Sequence, residues 1–304
     1  MIAFVLKRLL TALLTLWAVF TLSFFLMRSV PGGPFDRDQQ VSDEIQERIA
    51  ARYGLDRPLA EQYFGELSRV ATFDLGPSYR LTDYSVNQVI VEGLPASVTL
   101  GLLSLLLAIA LGVPVGMWAG IRRGRVDRWV CRFAVLGIAT PSFVIASLLI
   151  LVFSFWLPIL PPAGWGSPMQ LVLPVICLAI PLAAYLARLA RAGMLETWNA
   201  EYIRTAQAKG LPPSVIVWKH AFPAAMLPVV SFLGPAVAGI LTGSLVVERL
   251  FAIPGLGTSF VNAALDRDYT LAMGLVLLYT AILLVANALV DIAQKLHDPR
   301  LEAL

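Results

Sequence analysis

Charged residues are scarce in this chain of 304 residues, since Asp, Glu, Lys and Arg together make up 14% of it. Soluble domains usually carry about 25% charged residues. Hydrophobic residues make up 58% of the chain, and the mean hydropathy is +0.76. This composition excludes an ordinary soluble enzyme and a disordered chain. The formal net charge of +3 is too small to predict a nucleic-acid-binding surface.

Cysteine and histidine are almost absent. Cys131 and Cys177 lie in apolar stretches, and His220 and His297 are far apart in the sequence. They form no CxxC pair, no HExxH motif and no Cys/His cluster, so the sequence predicts neither a metal site nor a disulfide framework. The two thiols are predicted to pack as small buried hydrophobic groups.

The motifs of nucleotide binding and catalysis are also missing. The chain contains no GxxxxGK[ST] loop, residues 255–257 lack the third glycine of a dinucleotide site, and residues 242–245 do not form a GxSxG elbow. Its apolar runs hold no carboxylates of the kind that proton-coupled carriers use. We therefore predict no catalytic residues and no cofactor in this chain. Such a membrane protein is either a passive pore or receives energy from another subunit.

Long uncharged runs indicate membrane-spanning helices, which need about 20 apolar residues each. The run 133–187 is too long for one helix, and a Pro/Gly-rich turn between residues 158 and 168 divides it. The sequence thus predicts an all-α membrane protein with six transmembrane helices. No A-x-A-like cleavage site follows the first run, which favours a retained helix over a secretory signal. The predicted helices cover about residues 1–28, 96–121, 130–157, 171–191, 225–247 and 270–293.

Basic residues predict the orientation, because cytoplasmic loops carry an excess of Lys and Arg. Of the 23 basic residues, 14 lie on the side that holds both termini and the loops 122–132 and 188–219. This side is predicted to be cytoplasmic, in a multi-pass inner-membrane protein. Residues 29–95 are then extracytoplasmic. Their helical spacing predicts a folded cap, with one helix from Ser42 to Gly54 and another that begins at Pro58.

The cytoplasmic loop 192–224 contains a short predicted helix at 200–209. Asn199 is a suitable N-cap, Gly210 suits a left-handed C′ position, and Pro212 and Pro213 prevent continuation. Ala206 and Gly210 are four residues apart, which predicts a small face for docking by another protein. An amphipathic connector resting on the membrane surface is the alternative interpretation.

The residues of this loop resemble a known family. Residues 201–211, with the run TAQAKGL, are similar to the EAA loop of ABC-importer permeases in the form that the peptide-importer branch has. The segments YGLDRPL at 53–59, DLGPS at 74–78, TPSF at 140–143 and VERLFAIPGLG at 247–257 resemble further signatures of that branch, the OppB/DppB type. Residues 84–86 and 240–244 are closest to its oligopeptide permeases.

The resemblance implies a type I ABC-importer fold for residues 96–304 and the import of oligopeptides or dipeptides. It also implies a second homologous permease subunit, two ABC ATPase subunits that bind ATP and Mg²⁺, and an extracytoplasmic peptide-binding protein. Glutathione or a nickel chelate is the alternative cargo. The short loop helix becomes the ATPase-coupling helix, formed by Glu201, Tyr202, Ile203, Arg204, Thr205, Ala206, Gln207, Ala208, Lys209, Gly210 and Leu211.

Small and helix-bending residues in the fifth span are candidates for the translocation path, because they make room between helices. Helix–helix packing explains them equally well. A passive six-span channel and an intramembrane enzyme are the competing functional classes. The short capped helix favours the importer, since a pore has no need of it. The candidate path residues are Ser231, Gly234, Pro235, Gly243 and Ser244.

Overall fold

A computed structural model describes residues 2–29, 54–81, 83–243 and 245–297. Within these ranges all the regular elements are helical, apart from an isolated antiparallel bridge between Pro77 and Ser85. The α-helices are α1 Ile2–Ser29, α2 Leu59–Ala71, α3 Val86–Arg122, α4 Gly124–Ala139, α5 Ser142–Ile150, α6 Pro168–Trp198, α7 Glu201–Ala208, α8 Pro213–Val215, α9 Phe222–Ala225, α10 Leu227–Gly243, α11 Leu245–Leu250, α12 Leu256–Leu265 and α13 Tyr269–His297. Two π-helical segments, Leu151–Trp156 and Ile216–Ala221, continue α5 and α8.

Four described helices are long and apolar enough to cross a membrane, and two bent helix pairs raise the number to six when each pair is taken as one span. The sharper bend, 99°, separates α4 from the helix that starts at Ser142. Pro141 lies in this break, and Thr140 before it is extended, with φ −82° and ψ 122°. Proline lacks the amide hydrogen and disfavours a helical residue before it, which explains the break.

Two helices are longer than the sequence patterns predict. α3 begins at Val86 instead of about residue 96, and Val86, Val89 and Ile90 are buried in a cluster with residues of α12 and α13. α6 continues to Trp198 instead of ending near 191, because Met194 is fully buried in the core. In both cases tertiary packing extends the helix past the uncharged run that marks it in the sequence.

The chain forms two compact units, of which the first comprises Met1–Pro95 and Gly255–Ile282. In this unit the predicted cap helix is present as α2, with Pro58 as its N-cap, while the helix predicted before Gly54 lies outside the described residues. Tyr63 of α2 packs its ring 5.5 Å from Phe20 and 5.3 Å from Phe24 of α1. Arg28, near the end of α1, donates a hydrogen bond of 3.0 Å to Gln62. These contacts fasten α2 to α1.

Asp268 joins the loop after α2 to the start of α13. Its carboxylate is 1% exposed and accepts hydrogen bonds from the amides of Tyr79 and Leu271, both at 3.1 Å, and from the Ser78 hydroxyl. The bond from Leu271, the third residue of α13, makes Asp268 an N-cap. Thr270 adds a hydroxyl hydrogen bond of 2.7 Å to the Pro77 carbonyl.

The second unit comprises Ala96–Pro254 and Leu283–Leu304, and its core lies where α3, α6 and α9 meet. Gly112 and Gly116 of α3 pack against the backbone of α6, where an added Cβ would overlap the carbonyl oxygens of Ala183 and Ala187. Small residues thus let the backbones of α3 and α6 approach closely, as is common between membrane helices. An apolar cavity of about 900 Å³ lies between α3, α4 and α6.

Candidate functional site

The short helix predicted in the 192–224 loop is present as α7, Glu201–Ala208. Its N-cap is Ala200, with φ −68° and ψ 149°, so the predicted cap at Asn199 is wrong. Asn199 instead ends α6, where its side-chain amide donates to the Leu195 carbonyl at 2.8 Å and its oxygen accepts from Arg123 at 2.7 Å. Asn199 therefore fixes the beginning of the loop without capping α7.

The end of α7 has the geometry that the sequence predicts. Gly210 has φ +72°, in the left-handed region, and its amide donates to the Gln207 carbonyl at 2.9 Å. The Leu211 amide donates to the Ala206 carbonyl at 3.3 Å. These two hydrogen bonds form a Schellman motif, in which glycine is the preferred C′ residue. The prediction of a left-handed Gly210 is confirmed.

One face of α7 is buried in the chain's own core. Ile203 is 0% exposed and Ala206 is 6% exposed, and both belong to the cluster that includes Met194 of α6 and Ile216 of the second π segment. The predicted docking face that combines Ala206 with Gly210 is therefore wrong. Ile203 and Ala206 are three residues apart on one helix face, and that face seats α7 on the core.

The opposite face of α7 is exposed and polar, except for one aromatic ring. Tyr202 is 48% exposed, and Gln207 lies at the surface. An outward polar face on a firmly seated helix suits contact with another protein. Leu211 is half-buried against the core. The exposed residues of this face are Glu201, Tyr202, Arg204, Thr205, Gln207, Ala208, Lys209 and Gly210.

Several residues that the sequence patterns did not single out hold the two ends of this loop. An added Cβ on Gly193 of α6 would overlap the carbonyl oxygen of Ala225 in α9, so the two backbones are in contact there. Arg191 binds Asp127 of α4 with two hydrogen bonds, one of them 2.7 Å long. The only signal for this ion pair in the sequence is that Arg191 and Asp127 have opposite charges and each lies beside a predicted span.

The candidate path residues that the structure describes differ in exposure. Ser231 and Pro235 are exposed on α10, whereas Gly234 is buried. A Cβ added to Gly234 would overlap the side-chain oxygen of Asn287 in α13. Gly234 therefore has a packing role. Gly243 ends α10, and Ser244 lies outside the described residues. Within the described ranges, no group of three or more His, Cys, Asp or Glu side chains is placed to hold a metal ion.

The fold matches the membrane subunits of solved ABC transporters. The methionine transporter MetNI, in inward-facing conformations, superposes with a TM-score of 0.56 at 19% identity and covers 67% of this chain and 96% of that one. An amino acid ABC transporter solved with histidines gives a TM-score of 0.52 at 16% identity, covering 69% and 94%. The fold is thus that of a type I ABC-importer permease, and the predicted all-α fold class is confirmed.

Sequence comparison defines the family. The model described as binding-protein-dependent transport system inner membrane component matches residues 112–303, and the model of its N-terminal part matches residues 1–101. The chain belongs to this family and is a multi-pass membrane component of an ABC transport system.

Among its relatives, the oligopeptide transport system permease protein OppB of Haemophilus influenzae is 43% identical over 304 residues, which cover 99% of both chains. OppB of Escherichia coli K12 is 41% identical with the same coverage. The dipeptide transport system permease protein DppB of Bacillus subtilis is 42% identical over 303 residues, covering 99% of this chain and 98% of the relative.

Proposed function

We propose that this chain is the permease subunit of an ATP-driven ABC importer that moves oligopeptides or dipeptides into the cytoplasm. The observation that carries the proposal is the 41% to 43% identity, over almost the full length, to permeases named for oligopeptide and dipeptide transport. Glutathione or a nickel chelate remains the alternative cargo of the same type of permease. Selection between these solutes would lie largely in the binding protein that delivers them.

The coupling element in this proposal is α7 with Gly210 and Leu211. Its exposed polar face binds a groove of one ATPase subunit, and its buried face transmits the movement. Ile203 and Ala206 pack on the same core as Met194 of α6, so displacement of α7 displaces α6 as well. Packed elements shift as units between two arrangements. This suits a transporter that opens alternately to the two sides of the membrane. ATP and Mg²⁺ bind in the ATPase subunits, and a second permease subunit completes the pathway.

The proposed orientation places both termini and α7 in the cytoplasm and residues 36–92 outside. Single cysteines at Asp56 and Arg125, two exposed positions, test it in a background in which Cys131 and Cys177 are alanine. An impermeant thiol reagent added to intact cells is expected to label position 56 and to leave position 125 unlabelled until the membrane is opened. Labelling of both positions from outside contradicts the orientation.

Reconstitution tests the function itself. The chain is co-purified with its partner permease, both ATPases and the binding protein, and is placed in proteoliposomes. Uptake of a labelled tripeptide is expected only with ATP and binding protein together. Glutathione and a nickel chelate are assayed in parallel with their own binding proteins. Tripeptide uptake that continues without ATP would establish the passive channel instead.

A further inference from the structure

The loop 72–85, which joins α2 to α3 in the first unit, is fastened at several points. The Val86 amide donates a hydrogen bond of 2.9 Å to the Gly76 carbonyl, which brings the end of the loop back to its beginning. The Ser78 hydroxyl donates to Asp268, the N-cap of α13. A loop that is tied to itself and to a neighbouring helix presents its outer side chains in a fixed arrangement.

Phe73 combines an unfavourable backbone with an unfavourable environment. Its φ of +60° is in the left-handed region, where glycine or asparagine is the usual choice and a bulky residue is an outlier. Its side chain is 86% exposed, so packing within this chain does not stabilise it. The turn requires the left-handed conformation but not a phenyl ring. A residue that breaks local rules without a gain for the fold indicates a functional role.

Asn87, in the first turn of α3, fixes the backbone of Phe73. Its side-chain amide donates a hydrogen bond of 2.8 Å to the Phe73 carbonyl, and its side-chain oxygen accepts one of 2.9 Å from the Leu75 amide. The Phe73 amide donates to the Val70 carbonyl of α2 at 3.0 Å. The ring therefore projects from a backbone that is held on both sides. Such preorganisation reduces the entropy that is lost when a partner binds.

Apolar and acidic residues share the outer surface of this loop. Leu81 and Tyr84 are exposed, and the exposed residues Asp74 and Asp83 adjoin Phe73 and Tyr84 in the sequence. An exposed aromatic anchor with a polar rim is typical of protein–protein interfaces. Ionised carboxylates are costly to place in lipid, so they favour a protein as the partner. Their charge matches a partner that carries basic residues around an apolar pocket.

We propose that the loop 72–85 is a docking surface for the extracytoplasmic binding protein, with the Phe73 ring as its anchor. Transport in this family is binding-protein-dependent, so a protein has to dock on the outer side. The inference rests on the proposed function for the orientation, which places this loop outside. The binding protein supplies an apolar pocket for the ring and basic residues opposite Asp74 and Asp83.

The affinity of the binding protein for the permease–ATPase complex in nanodiscs, measured by biolayer interferometry, tests this surface. Phe73→Ala removes the ring and keeps the strained backbone, whereas Phe73→Asn also relieves the strain, because asparagine tolerates the left-handed region. Both variants are expected to bind at least about tenfold more weakly, as truncation of an interface hot spot does. The melting temperature is expected to be unchanged in Phe73→Ala and no lower in Phe73→Asn.

Phe133→Ala is the matched control, because Phe133 is 65% exposed on α4, whose first residue is cytoplasmic in the proposed orientation. This variant should bind the binding protein as the unmodified complex does. Wild-type affinity in both Phe73 variants overturns the proposal. A loss of binding that is accompanied by a lower melting temperature in both variants also overturns it, since the ring then stabilises the fold.

A fluorescent label at position 73 distinguishes a protein partner from lipid. Phe73→Cys, in the background without Cys131 and Cys177, carries a polarity-sensitive fluorophore. Its emission is expected to shift to the blue only when saturating binding protein is added. Quenching by brominated lipid before that addition overturns the proposal and assigns the residue to the membrane.

Peptide uptake and binding-protein-stimulated ATP hydrolysis of the wild type are scored separately. If both are present while the Phe73 variants bind normally, the docking surface is refuted and the proposed function stands. If both are absent from the wild type, the proposed function fails together with the docking surface.

Discussion

Replacing Gly193 with leucine is expected to destabilise the chain by about 3 kcal/mol and to abolish its association with the ATPase subunits. A Cβ at this position overlaps the Ala225 carbonyl oxygen and would lie 3.0 Å from its carbon, so the backbones of α6 and α9 must separate. Overpacking of a core costs about 1–3 kcal/mol, and backbone overlap places this change at the upper end. Because α6 and α9 flank the α7 loop, their separation also unseats Ile203 and Ala206.

Gly239→Leu is the control for that change. Gly239 also lies within a helix, α10, but a Cβ there has no neighbour within 4 Å. Replacing glycine with leucine raises the helix propensity by about the same amount at both positions. The difference in stability between the two variants therefore measures the backbone clash. Thermal unfolding of the purified chain in nanodiscs and co-purification of the ATPases measure the two effects. If both glycine variants unfold at the same temperature, the close approach of α6 and α9 does not contribute to the stability of the chain.

Replacing Gly210 with arginine is expected to leave the chain inserted and folded but to reduce peptide-stimulated ATP hydrolysis at least about tenfold. Gly210 has φ +72°, where a residue with a Cβ costs roughly 1–2 kcal/mol. No atom lies within 4 Å of a Cβ built there, so the arginine side chain extends into open space beside the exposed face of α7. In the proposed complex that space belongs to the ATPase, which the side chain then holds away.

Gly210→Ala separates the two causes, because it has the same backbone strain without the bulk. Its stimulated hydrolysis is expected to lie between those of the wild type and the arginine variant. Gln207→Glu changes an exposed side chain of α7 with little change in size and should be milder still. Membrane level, ATPase co-purification and stimulated hydrolysis are measured for each variant. Full stimulated hydrolysis in Gly210→Arg would show that this loop is not the coupling element.

The features that local chemistry determines were predictable from the sequence. Uncharged runs mark the six spans, and the Pro/Gly-rich segment ends one helix at Trp156 and precedes the next at Pro168. Gly210 adopts its predicted conformation because a helix followed by Gly-Leu-Pro-Pro has few other ways to end. The resemblance of residues 201–211 indicates the family because it lies in an ordered set of motifs along the chain.

The features that depend on a distant partner were not predictable. Asn199 has the chemistry of an N-cap, but Arg123, 76 positions away, occupies its side-chain oxygen. Ala206 is small enough for a docking face, yet its face is covered by α6 and the second π segment. Gly234 suits a pore and a packed interface equally, and only the position of Asn287 decides between them. In each case the local pattern allows two environments, and the tertiary structure selects one.

The break at Pro141 has a consequence for the choice of membrane mimetic. α4 contains 16 residues and is only about 24 Å long, so it crosses a hydrocarbon core of about 30 Å only together with the helix that starts at Ser142. When the pair forms one span, the bend between its halves lies within the membrane, where protein has to shield its polar backbone. A detergent micelle adapts its shape to a bent span, whereas a bilayer has a set thickness. Conformational measurements made in the two environments are therefore not interchangeable for this part of the chain.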